Sequence, residues 1–340
     1  MKNDEYVSSL SPCRCRRAWL LRHRGNAIWL VLFAWFFLVG ANAQESHTGY
    51  HFLRLPVGSH AGALGGDNVS IPDDDPSLLF NNPALLGNIG GTSVNLNFMN
   101  YMEGCNTASA AFAKPLGQKG TIGVMGQFMS YGTMREMNAE GVQTGEFSAK
   151  DIAIGGSFAY QLGRRVVGGI TAKVINSYIG QYSSLAVGVD LGLNYYDMER
   201  EWSLSAVVKN LGGELDAYDD VYTRLPVDVQ LGITKRLIGS PLRLSATLVD
   251  MNHLDQKFVN HVIVGTDLML GTQFYVAVGY NFRRAREMEI VTVDEDLTGS
   301  HGAGLSVGGG LRLERFQLGV AYGKYHVSSH SLMVNLSLNL

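Results

Sequence analysis

The chain has 340 residues, 41 of them Gly, with 15 Tyr, 14 Phe and only 17% charged side chains; 27 Lys and Arg stand against 30 Asp and Glu for a formal net charge of −3. That balance offers no basic footprint for nucleic acid, and three cysteines are too few for a disulfide-built scaffold. Little charge with much glycine and aromatic area suits short strands, close packing and aromatic girdles.

Lys2, Arg14, Arg16, Arg17, Arg22 and Arg24 precede an uncharged run from Ala27 to Gly40, which is short for a spanning helix and ends in the small-x-small pattern Ala41-Asn42-Ala43. This predicts a signal peptide over residues 1–43, removed so that Gln44 begins the mature chain. The basic region is long for that role and leaves the start codon open. Cys13 and Cys15 lie ahead of the apolar run, which argues against a lipoprotein, and they leave with the signal. Removal takes away 6 basic and 2 acidic side chains, so the mature charge falls by four from −3 to −7. Only Cys105 remains, so stability must come from sheet closure and burial.

Residues 44–90 do not alternate. They hold a small-residue run, Ser59-His60-Ala61-Gly62-Ala63-Leu64-Gly65-Gly66, and an acidic turn, Asp73-Asp74-Asp75-Pro76, followed by a stretch for which Ser77 is a plausible helix cap. A compact, strand-free segment of this kind can fill a barrel lumen, as in plugged barrels, or form a periplasmic extension. We expect the first of these, a hatch.

From Gly91 onward the period is two. One parity reads Val94-Leu96-Phe98, Leu185-Val187-Val189-Leu191-Leu193, Leu242-Leu244-Ala246-Leu248 and Phe274-Val276-Val278-Tyr280-Phe282, without a charge. The opposite parity carries Asp190, Lys209, Asp228, Asp267 and Arg312. A charge on lipid near the midplane costs roughly 2–4 kcal/mol whereas a lumen tolerates it, so the first parity faces lipid. About fourteen strands follow, an even number as bacterial barrels require. Short connections, such as Pro115-Leu116-Gly117-Gln118 and Glu314-Arg315, alternate with longer ones over residues 132–150, 212–225 and 283–302. Short turns belong to the periplasm, which places both termini there. The final run, Ser331 to Leu340, alternates almost without fault and should close the wall against the strand around Val94. A soluble β-sandwich or propeller also alternates, but predicts shorter strands and no alternation of loop length. The fold expected is all-β: a transmembrane antiparallel barrel over residues 91–340 with an N-terminal plug over 44–90, in the outer membrane.

No G-x-S-x-G, H-E-x-x-H, P-loop or CxxC pattern is present, and no enzyme, cofactor or metal is expected. Gly308-Gly309-Gly310 lies within a strand, where glycine serves bending or close packing. Asp219-Asp220 and Asp250, His253 and Asp255 fall near the outer rim, where an acid beside a His could poise a water; acidic surface loops are far commoner. His301, His326 and His330 share that rim, but no Cys or tightly spaced carboxylate joins them as a zinc set. Tyr218, Val221 and Tyr222 among Asp216, Asp219 and Asp220 have the composition of a docking rim, aromatic anchors in charged surroundings.

Several stretches resemble the PorQ family of the type IX secretion system: Met102-Glu103-Gly104, Glu140 to Phe147, Asp190 to Asp197, Gly279-Tyr280-Asn281-Phe282-Arg283-Arg284, and Ala321 to Ser329. The similarity spans the mature chain from Phe52-Leu53-Arg54-Leu55-Pro56 onward. Asn81-Asn82-Pro83-Ala84 is similar to the hatch signature of the wider superfamily of PorV and the fatty-acid-transporter-like barrels, which implies that Asn81, Asn82 and Pro83 are structural residues of the hatch. The resemblance implies a non-catalytic outer-membrane subunit of Bacteroidota. Its implied associates are a PorZ-like surface protein and PorU- and PorV-like components of the complex that processes cargo and attaches it to lipopolysaccharide. It departs from many outer-membrane barrels in ending on Leu340, not an aromatic residue. The alternative is a transporter of hydrophobic small molecules such as fatty acids, which requires a lumenal pocket and a movable hatch or gap.

Overall fold

A computed structural model describes residues 48–102, 104–218, 222–253, 256–288, 302–326 and 329–340. The expected signal peptide lies outside them.

Fourteen strands close into one antiparallel barrel. In chain order they are β1 (Ser93–Met102), β2 (Cys105–Leu116), β3 (Gly120–Met137), β4 (Gln143–Gln161), β5 (Val166–Ile179), β6 (Tyr182–Asp197) and β7 (Trp202–Asp216). Then come β8 (Asp228–Arg236), β9 (Leu242–Leu248), β10 (Val262–Leu270), β11 (Phe274–Asn281), β12 (Leu305–Arg312), β13 (Phe316–His326) and β14 (Ser329–Asn339). Each strand pairs with its sequence neighbours. β14 returns to β1 in a register running from Ser93 opposite Asn339 to Asn100 opposite Leu332, with Val94 facing Leu338. Closure removes the edge that a terminal strand of this hydrophobicity would otherwise expose.

Alternation along each strand explains why these residues make a wall. On β1, Leu96 and Phe98 are about half exposed while Asn95 and Asn97 between them are buried; on β11, Phe274, Val276 and Val278 are exposed while Tyr275 and Ala277 are buried. An apolar side chain exposed on every second residue, all round a closed sheet, is a surface made for hydrocarbon. The charges of the other parity, Asp190, Lys209, Asp228 and Asp267, are all buried inside the barrel.

At one end every connection is short, as between β2 and β3 or β12 and β13. At the other end the long connections join β7 to β8, β9 to β10 and β11 to β12. One expected loop is not a loop. Residues 132–150 are mostly strand, because β3 and β4 run 18 and 19 residues and continue as a paired hairpin, Thr133 opposite Ser148 and Arg135 opposite Glu146. Roughly ten residues cross a bilayer, so this hairpin rises well past its neighbours; beyond the membrane both of its faces meet water and the alternation that marks a strand disappears.

Ahead of β1 the chain forms a short helix, Ser59–Ala63, and 3-10 turns at His51–Arg54, Pro76–Phe80 and Pro83–Asn88. Most of this segment is buried, Ala63, Val69, Ile71 and Asn82 completely. The cap before Pro76 is Asp75, whose carboxylate accepts the Ser77 N–H at 2.9 Å, and not Ser77. Proline at the first position, where no N–H is needed, leaves the preceding acid as the residue able to satisfy the next donor.

Candidate functional site

The lumen is filled by the N-terminal segment, and the wall is shaped to receive it. Small residues of the helix Ser59–Ala63 approach lumen-facing glycines so closely that a Cβ would collide with the segment at Gly279 against Leu64 and Gly65, at Gly308 against Ala63 and at Gly319 against Ser59. Across the barrel the same holds at Gly169 against Pro83 and Ala84, and at Gly192 against Asn82. Asn82 also organises its own turn: Oδ1 accepts the Ala84 N–H at 2.9 Å and Nδ2 donates to the Val69 carbonyl at 2.9 Å. Asn81, Asn82 and Pro83 are therefore buried at the foot of the segment, Asn82 and Pro83 against β5 and β6.

Charge fixes the segment where glycine lets it approach. His60 lies between two carboxylates, Nδ1 3.1 Å from Asp73 Oδ2 and Nε2 2.8 Å from Asp267 Oδ1. Arg243 from β9 bridges the same acids, Nη1 to Asp73 Oδ1 at 2.7 Å and Nε to Asp267 Oδ2 at 2.7 Å. Arg312 from β12 donates to Asp73 as well. Tyr275 completes the cluster, its ring stacked on His60 at 4.2 Å and 5.0 Å from the Arg312 guanidinium. Burial pulls the His60 pKa down, but Asp267 and Asp73 outweigh it and the net shift is upward. Burial likewise raises the Asp73 carboxyl, but Arg243 and Arg312 hold it well below the usual range. Two acids, two guanidinium groups and an imidazole thus join the segment to three strands.

A second group lies on β5 to β7. Lys173 Nζ donates to Asp190 Oδ2 at 2.8 Å and to Asn210 Oδ1 at 2.6 Å, and Asp190 Oδ1 accepts the Asn210 N–H at 2.6 Å. Asn210 has φ 60 at a register shift between β6 and β7, so the buried acid compensates a donor that the bulge removes from the ladder.

Open space remains above and below. Near mid-lumen, among Leu53, Phe80, Met125, Lys173 and Lys209, the cavity is about 20 Å³. At the short-turn end a space of about 530 Å³ is lined by residues including Asn88, Lys119, Arg165 and Asp197. At the long-loop end an apolar cavity of about 370 Å³ is lined by Tyr50, Tyr131, Met134, Ala149, Tyr178 and Ile179, with Tyr218 at its margin. Two of its phenols are anchored: Tyr50 donates to Glu214 Oε1 at 2.6 Å and Tyr131 to Asp151 Oδ2 at 2.6 Å. Burial, then the Glu214 carboxylate, push the Tyr50 pKa up, so it remains a neutral donor.

Tyr222 is exposed in the β7–β8 connection, while Val221, Asp219 and Asp220 lie outside the described residues. Asp250 Oδ1 and His253 Nδ1 do meet, at 2.7 Å, but Arg283 Nη1 sits 2.9 Å from the other carboxylate oxygen and neutralises it; Asp255 lies outside the described residues. His301 does too, and His330 Nδ1 is 2.6 Å from the Tyr322 hydroxyl on the lipid-facing parity. Among the described residues no group of three His, Cys, Asp or Glu side chains could hold a metal ion. His60, Asp73 and Arg243, central to the filled lumen, were not singled out by sequence. Their signal was a charge on lumen parity for Arg243, and for His60 a single titratable side chain inside a run of small ones.

No family model and no curated protein sequence matches this chain. Solved structures with the same fold include the toluene transporter TodX of Pseudomonas putida, at TM-score 0.56 and 12% identity over 84% of this chain and 98% of that one. A FadL homologue of Pseudomonas aeruginosa aligns at 0.53 and 11% over 86% and 99%. CymD, a monoaromatic hydrocarbon channel, aligns at 0.57 and 10% over 84% and 98%. The chain has the 14-strand fold of FadL/TodX-like barrels.

Proposed function

We propose that this chain is a non-catalytic outer-membrane protein that binds and passes hydrophobic small molecules entering at its long-loop end, which faces the outside while both termini face the periplasm. The observation that carries this reading is the apolar cavity between Tyr50 and Ile179, directly above a packed lumenal segment, in the fold shared with transporters of toluene and other hydrocarbons. A cavity of this size suits a ligand of one aromatic ring or a short acyl segment. The test is binding of toluene and of a medium-chain fatty acid to the purified barrel, with uptake by cells carrying or lacking it. Met134→Arg and Ala149→Arg should abolish both. Wild-type protein that binds neither ligand would remove the reading.

A second reading, attachment of surface proteins in a type IX secretion system, draws on the resemblance to PorQ. One observation favours it: space near mid-lumen is about 20 Å³ and the segment above is tied by ion pairs, so the barrel can serve as an anchor without conducting. The partner surface would then be the long loops, Tyr218, Val221 and Tyr222 among them, docking a PorZ-like protein beside PorU- and PorV-like components and lipopolysaccharide. Affinity purification from native outer membranes distinguishes the two. Co-purification of a PorZ-like protein, lost when the 217–227 loop is shortened while the barrel stays folded, supports attachment. Normal surface attachment with lost hydrocarbon uptake in a deletion strain supports transport.

A further inference from the structure

We propose a second binding site, for a small soluble molecule bearing a phosphate or carboxylate, in a vestibule of about 330 Å³ at the long-loop end of the lumen. It is distinct from the apolar cavity, and its lining carries charge. Arg54, Lys209, Arg283 and Arg284 line it with Asp67, Asp228 and Glu287.

Two of these cations are closely partnered and two are not. Arg283 is matched by Asp250 at 2.9 Å and Glu287 at 2.6 Å. Arg284 donates to the Ala303 and Gly304 carbonyls and to Ser306, and lies 4.3 Å over the Tyr325 ring. Asp228 accepts from Gln230 and from the Asp250 N–H. Among the described residues the ion pair of Lys209 is with Asp67 Oδ1, at 3.9 Å, beyond the 2.7–2.9 Å of a charge-assisted hydrogen bond, although its side chain is nearly buried. Arg54 stands on the N-terminal segment, and its Nε is shielded from solvent with no acceptor among the described residues.

A shielded guanidinium donor without an acceptor is disfavoured. A planar fork and a nearby ammonium, facing one space from the segment and from β7, form a pair suited to a doubly hydrogen-bonding oxyanion. The vestibule admits a molecule up to about the size of a sugar phosphate but not a lipid A headgroup, so the occupant comes from solution.

The experiment is calorimetric titration of the purified full-length barrel, in neutral detergent at low salt, with inorganic phosphate, glucose 6-phosphate and acetate. At least one should bind, more weakly as salt rises. Arg54→Gln and Lys209→Gln should each weaken it about tenfold or more, as expected for one lost charge-assisted hydrogen bond. Arg286→Gln makes the same charge change at an exposed position outside the lining and should leave binding intact. Heat-modifiable gel mobility confirms that each variant keeps its wall. Wild-type protein that binds none of the three, or binding unchanged in the Arg54→Gln, Lys209→Gln double variant, overturns the proposal, as does binding of lipopolysaccharide micelles alone.

Discussion

Replacing Arg243 by Met tests whether charge, rather than shape alone, keeps the N-terminal segment inside the wall. The change removes the 2.7 Å bonds to Asp73 and to Asp267 while retaining most of the volume. Asp73 keeps Arg312 and His60, but Asp267, 1% exposed, keeps only His60 among the described residues. Removing one member of a buried ion pair costs about 3–5 kcal/mol because the other charge stays desolvated; with two partners remaining on Asp73, about 3 kcal/mol is expected. Ser70 supplies the reporter. It is fully buried beneath Thr234, to which its hydroxyl is hydrogen-bonded at 2.8 Å, so in a Cys105→Ala background a Ser70→Cys thiol meets a maleimide only when the segment leaves. If release precedes reaction, ~3 kcal/mol corresponds to labelling roughly a hundredfold faster. Arg243→Lys, which keeps the charge but cannot span both acids, should fall between. Labelling within about twofold of the parent, with the wall intact by gel mobility, would refute the ion cluster as the restraint and leave the glycine footprint in its place.

Gly192→Ala should lower the melting temperature in detergent, because its Cβ collides with Asn82 and lies 3.1 Å from Pro83 Cδ; overpacking of this kind costs about 1–3 kcal/mol. Gly156→Ala, on the lipid face with nothing within 4 Å, should not lower it. Val278→Lys, on the exposed apolar stripe of β11, should cost roughly 2–4 kcal/mol in reversible folding into lipid vesicles, and a wild-type folding free energy would contradict the lipid-facing parity. Ser70→Cys labelling, normalised to a free thiol, should depend on pH in two directions. His60, its pKa raised above 6.5 by Asp267 and Asp73 against burial, contributes fully below that value and loses its contribution as pH climbs through the raised one. Asp73, held below 3.8 by Arg243 and Arg312 against burial, contributes fully above it and loses its contribution as pH falls through the depressed one. A profile flat from about pH 4 to pH 9 would separate segment release from His60 titration.

The wall was legible because a bilayer enforces a period of two on every crossing strand, and a charge in the middle of the lipid-facing parity is expensive enough to be avoided. Where the bilayer stops, so does the signal: Thr133 to Met137 and Gln143 to Ser148 pair as strands yet read as a loop. The pairing of His60 with Asp267, 207 residues apart, has no local signature, since nothing near either residue specifies the other. The Asp75 cap was obscured by the adjacent Ser77, which also has capping chemistry, and only the position of Pro76 decides between them.

The glycines carry a further distinction that composition alone does not. A water-filled lumen has no need of bare backbone on its inner parity, because polar side chains can extend into it. Here Gly169, Gly192, Gly279, Gly308 and Gly319 all fall on that inner parity and each lies against the N-terminal segment, whereas Gly156 on the outer parity meets only open space. Inner-parity glycine spread over β5, β6, β11, β12 and β13 is therefore the imprint of an object packed inside. In such a wall the object's exit must be limited by the contacts glycine does not make, which leaves the charges on Asp73, Asp267 and Arg243 as the point of control.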